Sequence, residues 1–289
     1  KGWAGPFSLP GNTDDPLTYN FNPFIPGNHV LVVPRTPFCH NMNDFTADLF
    51  TQMLMTSRDY IGEMRANGEV NFADQVNASV MLRTEGLVKP EDVDGMVFGW
   101  NFGDGKINSR GLETLSSFAS QELIHFQLGP IPAGSYNRAD RIGEICDRFN
   151  ESEIDYLGKY IEAIRASGLE LFDYGGFKVI IPFAQRAPHE LQVVCPGQDF
   201  SAFDDGQIAS LGLAFESVMR SFNTLQVDSF NMNGFLPRFS TEPGSNNRVI
   251  FAFYPRISGI AFSELFGRWI VPSHPDITRE ELRKAGIAP

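Results

Sequence analysis

His125 and Gln127 are the two side chains of this sequence best placed by type and spacing to do chemistry. They close the stretch Ser116-Ser-Phe-Ala-Ser-Gln-Glu-Leu-Ile-His-Phe-Gln127, whose last six residues alternate between polar and apolar. On a strand this alternation sends His125 and Gln127 to one face and Ile124 and Phe126 to the other. An imidazole supplies a nitrogen nucleophile near neutral pH. A carboxamide beside it can hold a phosphoryl oxygen or orient the nucleophile, so the pair suits attack on phosphorus. A histidine on a strand is also a common structural residue, and the pair alone leaves both readings open.

The elements that must position this pair are legible on either side of it. Upstream, Gly95 to Gly103 reads as a strand, followed by the polar loop Asp104 to Gly111. In that loop Lys106, Asn108, Ser109 and Arg110 either hold an anion or form a solvated hairpin. Further back, residues 1–18 read as an irregular arm. Phe21 to Arg35 reads as a Pro/Gly turn and then a buried strand from His29 to Val33 that Pro34 terminates. From Asn43 to Asn67 apolar residues recur at helical spacing, with Asp44 or Asn43 as cap and Gly68 at the end. Downstream, Gly129 to Arg141 reads as a Pro/Gly-rich exit from the strand, and Glu151 to Ala166 as an amphipathic helix closed by Gly168.

The pattern then restarts. Phe177 to Gln185 and His189 to Cys195 read as a hairpin, Asp204 to Asn223 as a helix, and Ser229 to Phe235 and Arg248 to Arg256 as strands. A short C-terminal helix follows, with Thr278 as cap and Glu281 completing a capping box. Both halves run strand, helix, strand, strand, which predicts an internal duplication. Superposed on their last strands, Ile124 to Gln127 falls on Phe251-Ala-Phe-Tyr254, so only the first half is expected to keep a polar face. Arg35, Arg83, Arg186 and Arg256 are candidate phosphate contacts, although a surface salt bridge is the commoner fate of such residues.

Composition narrows the classes. The 289 residues are 42% hydrophobic and 20% charged, enough for one large domain or two of about 150 residues. A net charge of -12 disfavours broad contact with a nucleic-acid backbone, yet a local Arg cluster can still serve a small anion. The 26 Phe imply aromatic cores or an apolar pocket. Three scattered cysteines suit a reducing compartment, and no apolar run long enough to cross a membrane is present. The expectation is a cytoplasmic protein with no membrane or nucleic-acid partner. No Walker loop, dinucleotide fingerprint, Ser-His-Asp signature or metal motif occurs, and neither a metal nor a cofactor is expected.

Several of these stretches together resemble the galactose-1-phosphate uridylyltransferase branch of the histidine triad (HIT-like) superfamily, which includes GDP-L-galactose and diadenosine tetraphosphate phosphorylases. The family's site strand has the form His-apolar-His-apolar-Gln after a small Ser or Thr segment, and Ser116 to Gln127 is similar to it. Phe21 to Arg35 looks like the family's first hairpin. Ile181-Pro-Phe-Ala-Gln-Arg-Ala-Pro-His-Glu-Leu191, Ser229 to Phe235 and the tail from Gly267 also have counterparts. The resemblance implies an α+β class, a duplicated HIT-like fold with a mainly antiparallel sheet and flanking helices. Its division would be an arm at 1–20, a first repeat at 21–168 carrying the site strand, and a second repeat at 169–289.

It implies further that His125 attacks an α-phosphorus to give a nucleotidyl-histidine, with Gln127 at the phosphoryl oxygens, Ser120 beside them and Asn108 on the approach. The candidate substrate-binding set is Asn108, Ser109, Arg110, Ser117, Ser120, Leu123 and Arg35. The sequence departs from the motif at Leu123, which stands where the first His belongs and can neither ligate metal nor hydrogen-bond. Leu115-Ser116-Ser117 also replaces small glycines. The first expectation is therefore a nucleotidyltransferase or phosphorylase acting on a nucleoside diphosphate sugar or dinucleoside polyphosphate. The alternatives are the same scaffold repurposed as a natural-product cyclase, a pericyclase such as a Diels-Alderase, or an isomerase with an apolar pocket, and a non-catalytic binding module. A small-molecule partner and a monomer or homodimer fit these readings.

Overall fold

Phe98, Trp100 and Phe102 are buried on one strand and Phe230 and Met232 on its neighbour, while the residues between them, Gly99, Asn101, Asn231 and Asn233, take the opposite face. This two-residue period sorts a whole sheet into an apolar inner face and a polar outer face. The computed structural model describes residues 17–21, 30–34, 42–67, 92–103, 125–136, 138–256 and 274–287. Their strands are β1 (Leu17–Phe21), β2 (Val30–Pro34), β3 (Val93–Gly103), β4 (Phe126–Pro132), β5 (Glu170–Tyr174), β6 (Phe177–Ile180), β7 (Leu191–Val194), β8 (Ser229–Phe235) and β9 (Ile250–Pro255). They form one sheet in the order β1-β2-β4-β3-β8-β9-β7-β6-β5. Every neighbouring pair is antiparallel. The helices are α1 (Ala47–Asn67), α2 (Arg138–Asn150), α3 (Tyr156–Ala166), α4 (Asp205–Thr224) and α5 (Pro275–Lys284). The class is α+β, an antiparallel sheet with flanking helices.

Read outward from the β3·β8 junction, the strand order is β3-β4-β2-β1 one way and β8-β9-β7-β6 the other. Each arm is built by the same chain order of hairpin, helix, strand, strand, with α1 in one and α4 in the other. These two helices touch each other and the inner face. Their approach is close at Gly212, where an added Cβ would lie 2.8 Å from the Ala47 carbonyl oxygen and collide with the Thr51 hydroxyl. Between helices and sheet the aromatic rings meet mostly edge to face, Trp100 against Phe230 at 4.7 Å and Phe215 against Phe251 and Phe253 at 5.1 Å. Edge-to-face contact is the arrangement that ring quadrupoles favour.

Several boundaries differ from the sequence reading. Leu17–Phe21, read as the end of the arm, is β1 and pairs with β2. Helix α1 starts at Ala47 after a 3-10 turn at Met42–Asp44, later than the Asn43 start read from the sequence, and the Leu49 N–H in its first turn donates to Thr46 Oγ1 at 3.3 Å. The exit at Gly129 is instead the rest of β4, and Arg138–Asn150 is a helix. The chain reaches α3 only after a turn and an Asp155 cap. Strand β5 had no sequence signal and joins β6 through Gly175 and Gly176, both at positive φ. Helix α5 is capped by His274 with Pro275 in its first turn; Thr278 lies inside it, buried. Asp204 caps α4, its side chain accepting from the Gln207 N–H while the Gln207 side chain accepts from the Asp204 N–H.

Candidate functional site

His125 immediately precedes β4, and its side chain is buried. Gln127, two residues on, shares the outer face. Its Nε2 lies 3.1 Å from His125 Nε2. A carboxamide nitrogen can only donate, so Gln127 Nε2–H donates to His125 Nε2, and that ring nitrogen carries a lone pair rather than a proton. The Nε2 lone pair and the Gln127 N–H are thus engaged with each other. The backbone around them leaves room: Gly99 is directly opposite Gln127 on β3, and a Cβ added there would meet nothing nearer than the Met232 carbonyl oxygen at 3.8 Å.

The register extends the site across the outer face. One row runs Gln127, Gly99, Asn233, Ala252, Gln192. Continuing the β3·β4 register by two residues brings Asn101 opposite His125, and Asn101 is followed by Asn231 on β8 and Tyr254 on β9. Beyond Tyr254 lies a second polar group. Arg186 Nη1 donates to Tyr254 Oη at 3.1 Å, and Gln192 Nε2 donates to Glu190 Oε1 at 2.8 Å. The Arg186 amide donates to the other oxygen of Glu190. Glu190 is fully buried, and burial pushes its carboxyl pKa up against the downward pull of these two hydrogen bonds. Burial also raises the Tyr254 hydroxyl, which stays protonated.

The sequence reading expected the second half to have lost its polar face. Ala252 does stand beside Tyr254 there, but Glu190, Gln192 and Arg186 arrive from the preceding hairpin and restore one. Asn101, Asn231 and Asn233 were also missed. Their signal was the alternation of Asn with Phe and Met in Ser229-Phe-Asn-Met-Asn, legible as a polar strand face once the strand is known.

Asn108, Ser109, Arg110, Ser117, Ser120, Leu123 and Arg35 lie outside the described residues. Arg186 and Arg256, expected as surface salt bridges, instead donate to Tyr254 Oη and to the Phe102 carbonyl (2.6 Å). His189 precedes β7 at φ 62° and its Nδ1 lies 3.1 Å from Thr278 Oγ1, a structural tie between the β7 hairpin and α5. Cys146 and Cys195 are buried free thiols whose pKa burial raises, and thus poor nucleophiles. The fully buried Phe side chains sit in the inner-face core, away from the His125 face.

Comparison with solved structures matches this sheet and its helices to one group. An ADP-glucose phosphorylase from Arabidopsis thaliana with bound ADP-glucose aligns at TM-score 0.67 and 15% identity, over 88% of this chain and 71% of that one. The chain has a GalT-like fold. A GalT-like protein from Arabidopsis thaliana gives 0.64 at 16% identity over 88% and 74% of the two chains. A uridylyltransferase mutant gives 0.67 at 13% identity over 89% and 77%. No family model matches the chain, and no curated protein matches it in sequence. The α+β fold with a mainly antiparallel sheet and flanking helices, implied by the resemblance, is thus the observed one. Among the described residues no helix is long and apolar enough to cross a membrane.

Proposed function

We propose that this GalT-like chain is a nucleotidyltransferase or phosphorylase whose nucleophile is His125. The observation that carries this reading is the 3.1 Å contact between Gln127 Nε2 and His125 Nε2 on the outer face, across from Gly99, which has no side chain. The structural neighbour with bound ADP-glucose supports a substrate of the class of a nucleoside diphosphate joined to a second group. In the first step the Nε2 lone pair attacks the α-phosphorus and a P–N bond forms. The opposite P–O bond breaks, and its electron pair leaves with the displaced phosphate or sugar phosphate. As Nε2 is consumed, the Gln127 N–H is released from the ring and can donate to a phosphoryl oxygen where charge accumulates. In the second step an acceptor oxygen attacks the same phosphorus and the P–N electron pair returns to Nε2. Both displacements depend mainly on positioning, which a strand supplies better than a loop.

Two repeats, 21–168 and 169–289, are the natural division under this reading, with the mirrored strand order as its support. The cyclase or isomerase alternative needs an apolar pocket at the site. The His125 face instead presents Asn101, Asn231, Gln127 and Tyr254, which favours a polar, charged substrate. The test is intact-protein mass after brief exposure to nucleoside diphosphate sugars and dinucleoside polyphosphates. A nucleoside monophosphate adduct on the wild type, absent from His125→Ala, is expected. A folded wild type with neither adduct nor turnover on the whole panel overturns the reading.

A further inference from the structure

The outer face also carries a cation at the His125 end. Arg256 follows β9 directly, and its backbone N–H donates to the Ser229 carbonyl at 2.8 Å, in the same register that pairs Tyr254 with Asn231. The two-residue period puts its side chain on the Tyr254 face. Along that row come Ser229 and then Gly103, a small side chain and none at all. The guanidinium runs back over them to β3, where Nη2 donates to the Phe102 carbonyl at 2.6 Å. With Asn101 opposite His125, Gly103 is the diagonal neighbour of His125, about 7 Å away.

The charge of Arg256 is not spent within the described structure. Its Nε is buried with no hydrogen-bond partner among the described residues. The side chain is half-buried, and that burial lowers its pKa, with exposed Asp228 opposing from farther off. A guanidinium drawn out of water with an unused N–H is unfavourable alone and favourable once an oxyanion lies against it.

We propose that Arg256 is a specificity-determining residue that holds the second phosphoryl group of a nucleoside diphosphate whose α-phosphorus faces His125. The spacing fits, since adjacent phosphoryl groups of one chain span the gap between a strand position and its diagonal neighbour. This inference rests on His125 as the reacting residue, but it concerns recognition and can be read without reaction.

The test is calorimetric titration of the full chain carrying His125→Ala, which cannot be consumed by transfer, with ADP, UDP, GDP and their monophosphates. Arg256→Gln and Arg256→Lys are each added to that background. At least one diphosphate is expected to bind about tenfold or more tightly than its monophosphate. Arg256→Gln removes this preference while leaving monophosphate affinity within about twofold, and Arg256→Lys keeps part of it because the charge remains without the planar fork. A preference unchanged in Arg256→Gln, equal weakening of both ligands, or no preference in the parent overturns the proposal. Should Arg256→Gln lose its folded circular dichroism, Arg256→Lys decides alone by the same comparison. The two readings fail separately. An Arg256-dependent preference with no covalent adduct on the wild type sinks the transfer mechanism and keeps the anion site, whereas an adduct whose substrate KM ignores Arg256→Gln does the reverse.

Discussion

Glu190 sits where a carboxylate is least comfortable, fully buried at the head of β7 and held by one side-chain amide and one backbone N–H. Burial raises its folded pKa above the ordinary 4.5. Between those two values the folded protein keeps a proton that the unfolded chain has released. The stabilising contribution is therefore complete below about 4.5 and is lost as pH rises through the folded pKa. Glu190→Gln removes that loss. Relative to wild type the variant should gain melting temperature from pH 4 to pH 7, at a slope of at most about 1.4 kcal/mol per pH unit. Parallel curves of melting temperature against pH would show that Glu190 does not titrate in this range. At this scale the sequence was informative for His125 and Gln127, whose alternation alone put them on one face. It named Arg256 only as a candidate phosphate contact, because its partner Phe102 becomes a neighbour only when β9, β8 and β3 are laid side by side, and it was silent on Glu190, whose carboxylate accepts from Gln192 and the Arg186 backbone N–H.

Among the elements, the α1·α4 contact is set by Gly212. Alanine is the better helix former by about 1 kcal/mol, so on an isolated helix Gly212→Ala would stabilise. Here the new methyl meets the Ala47 carbonyl oxygen and the Thr51 hydroxyl. Overpacking of this kind costs about 1–3 kcal/mol. A net loss is expected in urea denaturation, only partly restored by Thr51→Ala because the backbone oxygen stays; a stabilised Gly212→Ala would mean the helices stand farther apart.

Where element boundaries escaped the sequence, the cause is specific. Gly129-Pro-Ile-Pro132 reads as a strand exit, yet β4 runs on against β3 as far as Pro132. Thr278 with Glu281 has the spacing of a capping box, but Pro275 fixes the helix start earlier and Thr278 turns to His189. In α2, Ile142, Cys146 and Phe149 keep helical spacing, hidden by Gly143 and six charged residues among thirteen.

For the whole molecule, the β3·β8 ladder makes one sheet of what the sequence divides into two repeats. At this seam Gly234 faces Phe98, and a Cβ there would lie 2.8 Å from the Phe98 Cβ and 3.0 Å from Phe251. The two arms share both a ladder and a helix pair, so they should unfold together. Far-ultraviolet dichroism and aromatic signals are expected to give one coincident transition, and Gly234→Ala should lower it by about 1–3 kcal/mol without splitting it. Two separated transitions would show that the arms are independent folding units. The repeated element order was legible along the chain; the joining of the strands into one sheet was not, since nothing local in β3 or β8 says which strand lies next to it.

That seam is also self-reporting. Trp100, opposite Met232 in the β3·β8 register, is caged by Phe45, Phe50, Phe102, Phe126 and Phe230, and its indole N–H has no hydrogen-bond partner. An excited indole in such a dry, unpolarisable cage emits toward the blue, and its light moves to the red when water enters. With Trp3 and Trp269 replaced by Phe, the colour of Trp100 emission thus tracks whether the two arms are joined, with no label attached.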